Sequence, residues 1–237
     1  MRKVLLLITV LLTANILFAQ NIQSVCIKIN ELNDNILLGN IKKQQAIAPF
    51  KALMAELNRL IKTKQLDNAW VFPLQGYKPS AIGGTNGNGY SDRGYNYFDG
   101  NKHAAHPAHD IFIRDKNQDD IDDKTLQPVN VLAMADGIVL ACRSNWDEKS
   151  DLRGGRYIWI YHPQLNIISY YAHNREIFVK PGDEVKGGQK IAEVGRTGFN
   201  AFKKRSPTHL HFGTYHLQNG LPIPFNAYNQ LIKAQIK

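Results

Sequence analysis

The chain has 237 residues, 43% of them apolar and 21% charged, with a formal net charge of +9. That length allows one domain with a substantial core plus an accessory segment, and the composition excludes a disordered polymer. The basic balance suits an anionic surface such as a wall polymer or lipid headgroups. Nucleic acid is not an expected partner, because no basic recognition helix accompanies the charge.

Arg2 and Lys3 lead an apolar run from Val4 to Phe18, followed by Ala19-Gln20-Asn21. A charged start, an apolar middle and a small residue at the cut predict a signal peptide over residues 1–20, cleaved near Ala19. The run is short for a membrane-spanning helix. The mature chain is therefore expected to be exported, to the periplasm or the extracellular cell wall, with no stable membrane span. Removing Arg2 and Lys3 takes the charge from +9 to +7. In such an oxidising compartment Cys26 and Cys142 can pair, but two buried free thiols are equally consistent with the sequence.

Residues 21–69 are expected to form a small helical segment without chemistry of its own. Ser24 to Leu38 is a candidate first helix, with Gly39 ending it. Phe50, Leu53, Met54, Leu57, Leu60 and Ile61 fall at spacings of three and four, the stripe of an amphipathic helix, and Pro49 suits its first turn. After Trp70 the texture changes, opening a domain expected over residues 70–237. Gly76 to Gly100 is rich in Gly, Asn and Tyr, a loop composition in which Tyr90, Tyr95 and Tyr97 offer themselves as a cleft wall.

Short β-rich runs then alternate with turn signals. Strands are predicted at Asp110 to Arg114, Val129 to Ala135, Ile138 to Cys142, Tyr157 to Tyr161, Ile167 to Ala172, Lys190 to Val194 and His209 to Tyr215. Asp136-Gly137 is a hairpin signal between two of them. Pro181-Gly182-Asp183 through Gly188-Gln189 repeats the turn and strand pattern of biotinyl and lipoyl carriers, but no modifiable lysine tip is apparent. Short strands without intervening helices argue an antiparallel all-β domain, either a sandwich or a partly open barrel.

The chemistry concentrates in two places. Thr208-His209-Leu210-His211-Phe212-Gly213 reads as a strand, whose period of two puts both imidazoles on one face and Leu210 and Phe212 on the other. Neutral imidazole is the commonest metal-ligating side chain. His103-Ala104-Ala105-His106-Pro107-Ala108-His109-Asp110 supplies further imidazoles and a carboxylate just ahead of a strand.

His106-x-x-x-Asp110 together with Thr208-His209-Leu210-His211-Phe212 resembles the lysostaphin-type (LytM-type) zinc metallopeptidases, which cut peptidoglycan cross-links. The resemblance continues through Pro128-Val129, Ala135-Asp136-Gly137-Ile138-Val139, Tyr171-Ala172-His173 and the Pro181 to Gly195 segment, covering residues 71–215. It implies an all-β, duplicated-hybrid-like catalytic domain. It further implies one zinc ion held by His106, Asp110 and His211, with His173 and His209 as the catalytic histidines. The implied activity is that of a secreted zinc metalloendopeptidase hydrolysing peptidoglycan stem or bridge peptides. Two other classes stay open: a non-catalytic wall-binding or amidase-activating relative, and a peptidase or amidase with another peptide substrate. His103, His109, His162 and His216 are expected to be non-ligands, with His109 exposed.

Two stretches depart from that pattern. Arg114 to Gln127 is an acidic insertion that begins like a calcium loop, yet Asp120 stands where an EF-hand needs Gly and Leu126 where it needs Glu. It is expected to be a solvated loop. Lys203-Lys204-Arg205 precedes the histidine pair, and either contacts substrate anions or only solvates a loop.

Overall fold

A computed structural model describes residues 21–61, 69–102 and 105–237. The predicted leader and His103 lie outside them. Among the described residues, ten strands form two antiparallel sheets. The larger contains β1 (Ala108–Phe112), β3 (Gly137–Arg143), β4 (Tyr157–His162), β5 (Ile167–Ala172), β7 (Glu184–Val185), β9 (His209–Gln218) and β10 (Leu221–Pro224), in the order β1-β9-β5-β4-β3-β7 with β10 also on β9. The smaller holds β2 (Asn130–Leu132), β8 (Lys190–Val194) and β6 (Asn174–Ile177). The two sheets do not close into a barrel, and the antiparallel all-β architecture is as expected. The sequence missed β6 and β10, which are short, and in β10 two prolines interrupt the strand signal.

Alternation along the strands builds two cores. In β4, Ile158 and Ile160 face inward to meet Val131, Ile191 and Val194 of the small sheet. Tyr157, Trp159 and Tyr161 point to the opposite, outer face. Helices α1 (21–37) and α2 (Lys43–Leu60) cover that outer face, burying Ile22, Val25, Ile29, Phe50, Met54 and Leu57 against it. Gly39, at φ 71°, ends α1 as expected.

Two expectations need correction here. Pro49 lies inside α2, not at its first turn. Its missing N–H leaves one carbonyl without an intrahelical partner, but Ala46 on one side and Phe50 and Met54 on the other are all buried, so one apolar stripe holds both halves to the sheet. Asp136-Gly137, for its part, does not close a hairpin: β2 and β3 belong to different sheets. The Asp136 carboxylate instead accepts from Gly187 N–H and Lys186 Nζ, each at 2.8 Å, pinning the crossing to the turn before β8. Gly137 is required because a Cβ there would come within 2.6 Å of the Tyr161 carbonyl.

The acidic insertion is also not simply solvated. Asp122 is fully buried, accepting from Tyr77 Oη, Arg114 Nε and two backbone N–H groups. Asp115, also buried, accepts from the N–H groups of Asp119 and Asp120. Their oxygens are occupied by protein donors, from the loop itself and from Tyr77 and Thr208, which is why this acidic run folds without an EF-hand pattern. Both cysteines are free thiols. Burial pushes Cys26 up to about 12 and Cys142 up to about 11, which leaves both unreactive near neutral pH. No helix among the described residues is long and apolar enough to cross a membrane.

Because Phe50 is 2% exposed and packs tilted against Tyr97 and edge-on against Phe98, Phe50→Ala is expected to cost about 3–5 kcal/mol of stability. A denaturant titration checks this. A loss below about 1 kcal/mol would show that α2 is not part of the cooperative core.

Candidate metal centre

Strand register assembles the centre. Antiparallel pairing sets Asp110 of β1 directly opposite His211 of β9, and Ala172 of β5 opposite His211 on its other side. His209 and His211 share the outer face, while Leu210 and Phe212 are wholly buried in the inner core and hold the strand in place. His106 arrives from the segment before β1, which is bridged to Ser91. His173 follows directly on β5.

His106 Nε2 lies 3.1 Å and His211 Nδ1 lies 3.0 Å from the same oxygen, Asp110 Oδ1. One ligand atom from each of the three lies within 4.8 Å of the others. A tetrahedral zinc with ligands at about 2.0–2.1 Å holds its ligand atoms roughly 3.3 Å apart, so these edges are of the right size. The hydrogen-bond chemistry is more telling. His106 Nδ1 is 3.0 Å from the Gly89 carbonyl, an acceptor, so Nδ1 carries the ring proton. Neutral His106 therefore presents a lone pair at Nε2 to a carboxylate oxygen, an acceptor facing an acceptor. Either a second proton or a cation must lie between them. A carbonyl fixing the far nitrogen of the ring is also the usual second partner of a metal-bound histidine. The residues thus fit a divalent cation.

Electrostatics agree. Burial alone would raise the Asp110 carboxyl, but when His106 and His211 carry protons on the nitrogens that face it, their hydrogen bonds hold it far below the usual carboxylate range. The Asp110 hydrogen bond raises His106. Burial lowers His211 to about 4, leaving it neutral at physiological pH.

The other two predicted site histidines lie beside this group. His209 Nε2 is 3.6 Å from Asp110 Oδ1, while its Nδ1 donates to the Pro207 carbonyl at 2.7 Å, which leaves the Nε2 lone pair available. His173 donates from Nδ1 to the Thr197 carbonyl at 2.8 Å, and its ring centroid is 4.9 Å from that of His209. Burial, followed by the nearby imidazoles of His209 and His211, pushes His173 well below its ordinary value, so it too is neutral. Its backbone sits at φ 67°, left-handed and costly for a residue with a Cβ. A hydrogen bond from its N–H to the Gly154 carbonyl (3.0 Å) holds that conformation.

The remaining histidines separate cleanly. His109, expected to be exposed, is 2% exposed, because it occupies the opposite face of β1 from Asp110; it lies 3.0 Å from Asn226 Oδ1 and against Tyr90. His162 bridges the Asp136 carbonyl and Ser169 Oγ, and His216 stacks on Phe225.

A cleft of about 250 Å³ opens over the centre. Tyr95 and Tyr97 line it, as the tyrosine-rich loop suggested, but Tyr90 does not. Sequence reasoning missed several lining residues: Trp159, Tyr170, Arg153 and, from α1, Asn33, Ile36 and Leu37. The aromatic alternation in β4 was a signal for Trp159; nothing local marked α1. Behind the cleft, Thr208 donates to Asp115 at 2.6 Å and accepts from Arg196 Nη1 at 3.0 Å. The acidic insertion thereby anchors the residue that precedes His209. Lys203, in the basic run, lies over the Phe199 ring at 4.0 Å.

Comparison with known proteins is consistent with this geometry. Residues 118–224 match the model of peptidase family M23. Over 108 residues the chain is 32% identical to an "Uncharacterized metalloprotease" of Buchnera aphidicola subsp. Baizongia pistaciae, covering 45% of this chain and 26% of that protein. It is 41% identical over 83 residues to the "Murein hydrolase activator NlpD" of Escherichia coli, covering 35% and 18%. The chain thus spans about a quarter or less of these curated relatives. A solved structure from Ruminococcus gnavus, provisionally described as a glycyl-glycine endopeptidase lytM, superposes with a TM-score of 0.50 at 26% identity, covering 71% of this chain and 62% of that one.

Two variants isolate the backbone at His173. Both His173→Ala and His173→Gly remove the imidazole, but Gly tolerates φ 67° without a Cβ penalty. His173→Gly is expected to be the more stable of the two by about 1 kcal/mol. Equal midpoints in chemical denaturation would mean that the turn is not constrained.

Proposed function

The chain carries a domain of peptidase family M23, of the lysostaphin type, and from that premise we propose that it is an exported zinc metalloendopeptidase of peptidoglycan. In this reading residues 21–69 and 70–237 act as helical support and catalytic domain. The observation that carries it is the lone pair of His106 Nε2 facing Asp110 Oδ1 at 3.1 Å, with His211 Nδ1 on the same oxygen. The family match begins after His106 and Asp110, so their role rests on this geometry.

His106, Asp110 and His211 would hold the ion. Zinc bound there would polarise a peptide carbonyl and acidify water at its open position. His209, with Nδ1–H committed to Pro207, would accept a proton at Nε2 and return it to the leaving amine. His173, fixed through Nδ1 by Thr197, would direct its Nε2 into the same space and orient the attacked group. Trp159, Tyr170 and Tyr95 would flank the peptide and exclude water. The substrate would be stem or bridge peptides.

A second reading is favoured by the 41% identity to a murein hydrolase activator: a protein that binds the wall and stimulates another enzyme. The presence of all three candidate ligands and both further histidines supports the catalytic reading over it.

The test is digestion of purified peptidoglycan by the zinc-loaded protein, with and without a chelator, read by mass. Chelator-sensitive loss of cross-linked fragments is expected. Asp110→Ala and His211→Ala should lose both zinc and activity. His209→Ala should keep its zinc, measured by elemental analysis, and lose about 10²–10⁴-fold in rate. Intact cross-links from folded, zinc-loaded protein would favour the activator.

A further inference from the structure

The basic run Lys203-Lys204-Arg205 carries charge that the metal centre does not use, and the fold displays it. Its backbone is pinned from beneath. Arg196 donates from Nη1 to the Ser206 carbonyl at 2.7 Å and from Nη2 to the Lys203 carbonyl at 2.9 Å, while Gln118 Nε2 donates to the Lys204 carbonyl at 2.9 Å. On a backbone held in this way, Lys204 and Arg205 are exposed. None of the three cations forms an ion pair among the described residues, unlike Lys43, Arg114, Arg143, Lys186 and Lys190. The acidic insertion meets the run through the neutral Gln118, and Asp119 beside it spends its oxygens on Asn117 Nδ2 and the Ile121 N–H.

Two of these charges have fixed positions. Arg205 Nη2 donates to Asn200 Oδ1 at 3.1 Å, and Asn200 lines the cleft together with Ala201 and Ser206. The guanidinium therefore stands at the rim of the cleft. Its partner is neutral, so its charge is uncompensated and its other donors stay open to a ligand. Lys203 Nζ lies 4.0 Å from the Phe199 ring centroid and 6.0 Å from that of Phe202, whose own ring packs 5.6 Å from Trp146. An aromatic face orients an ammonium without neutralising it. Positive charge is thus concentrated beside the cleft, which raises the local concentration of an anion there. A guanidinium also offers a planar pair of donors that matches a carboxylate, with geometric selectivity that a lysine lacks.

We propose that Lys203, Lys204 and Arg205 are an anion-binding rim that grips a carboxylate of the peptidoglycan peptide outside the reacting bond, with Arg205 selecting it. Asn200 belongs to both cleft and rim, so a peptide lying over it passes the guanidinium. That continuity makes the occupant a carboxylate on the peptide itself, not a phosphate on a separate polymer. The proposal deepens the peptidoglycan reading and rests on its substrate, not on its catalysis.

Co-sedimentation of the full chain with purified peptidoglycan, in the presence of a chelator so that no cross-link is cut, tests this. The probes are peptidoglycan freed of phosphate polymers and the same material with its carboxylates converted to amides. Wild type is expected to bind the native form about tenfold more tightly at low salt, an advantage of the size of one charge-assisted hydrogen bond. That advantage should vanish in about 1 M salt, where the screening length falls to about 3 Å. The double variant Lys204→Gln/Arg205→Gln should bind both forms as wild type binds the amidated one, and Arg205→Lys should keep only part of the preference. Thermal melts report whether each variant folds; if the double variant does not, Arg205→Gln alone decides. Equal binding of native and amidated material by wild type, or a full preference surviving in the folded glutamine variant, overturns the rim. Where that equal binding accompanies digestion by the zinc-loaded protein, the rim alone falls. A preference without digestion overturns only the catalytic reading.

Discussion

The centre is organised by one unfavourable juxtaposition. His106 donates its ring N–H to the Gly89 carbonyl and so turns a lone pair toward the Asp110 carboxylate. Two acceptors 3.1 Å apart repel unless positive charge lies between them. A proton or a divalent cation removes the repulsion, and a cation can also recruit His211, which burial keeps neutral. The fold spends its rigidity on holding these atoms together: β1 and β9 are paired in register, and Leu210 and Phe212 lock β9 from beneath.

The rest of the site follows from which part of the outer sheet face is left uncovered. Helices α1 and α2 bury most of that face, with Asn33 of α1 exchanging hydrogen bonds with Tyr97 and Tyr157. Where the helical cover stops, Trp159, Tyr170 and the histidines remain accessible as a cleft, and the end of α1 forms part of its wall. The N-terminal segment is thus both core and cleft boundary. Its contribution is positional: it decides what can approach chemistry that other elements supply.

Behind the cleft a second polar network fixes the start of β9. Asp115, Thr208 and Arg196 are all buried and bonded in series through Thr208, and Arg196 also holds the carbonyls of Lys203 and Ser206. A buried charge is tolerated only with such partners. The acidic insertion and the loop before the histidine pair, unrelated in sequence, therefore act as one support for His209.

Much of this was legible in the amino-acid sequence, because it depends on local periodicity. Alternation in His209-Leu210-His211-Phe212 determined which side chains share a face, and the runs at 157–161, 167–172 and 190–194 announced their strands. The motif order brought His106, Asp110, His173, His209 and His211 together as one candidate constellation. Other features depend on partners far along the chain, and no local pattern carries them. Asp136-Gly137 has hairpin chemistry, but a contact with Gly187 made it a crossing between sheets. His109 differs from Asp110 by one residue, and only the pairing of β1 with β9 and the position of Asn226 decided which of the two is buried away from the cleft. Ser24 to Leu38 announced α1 as a helix ended by Gly39; that its end would also line the cleft follows from where the sheet receives it. Residue type and spacing therefore determined the donors available, whereas long-range packing decided their orientation, their protonation and what surrounds them.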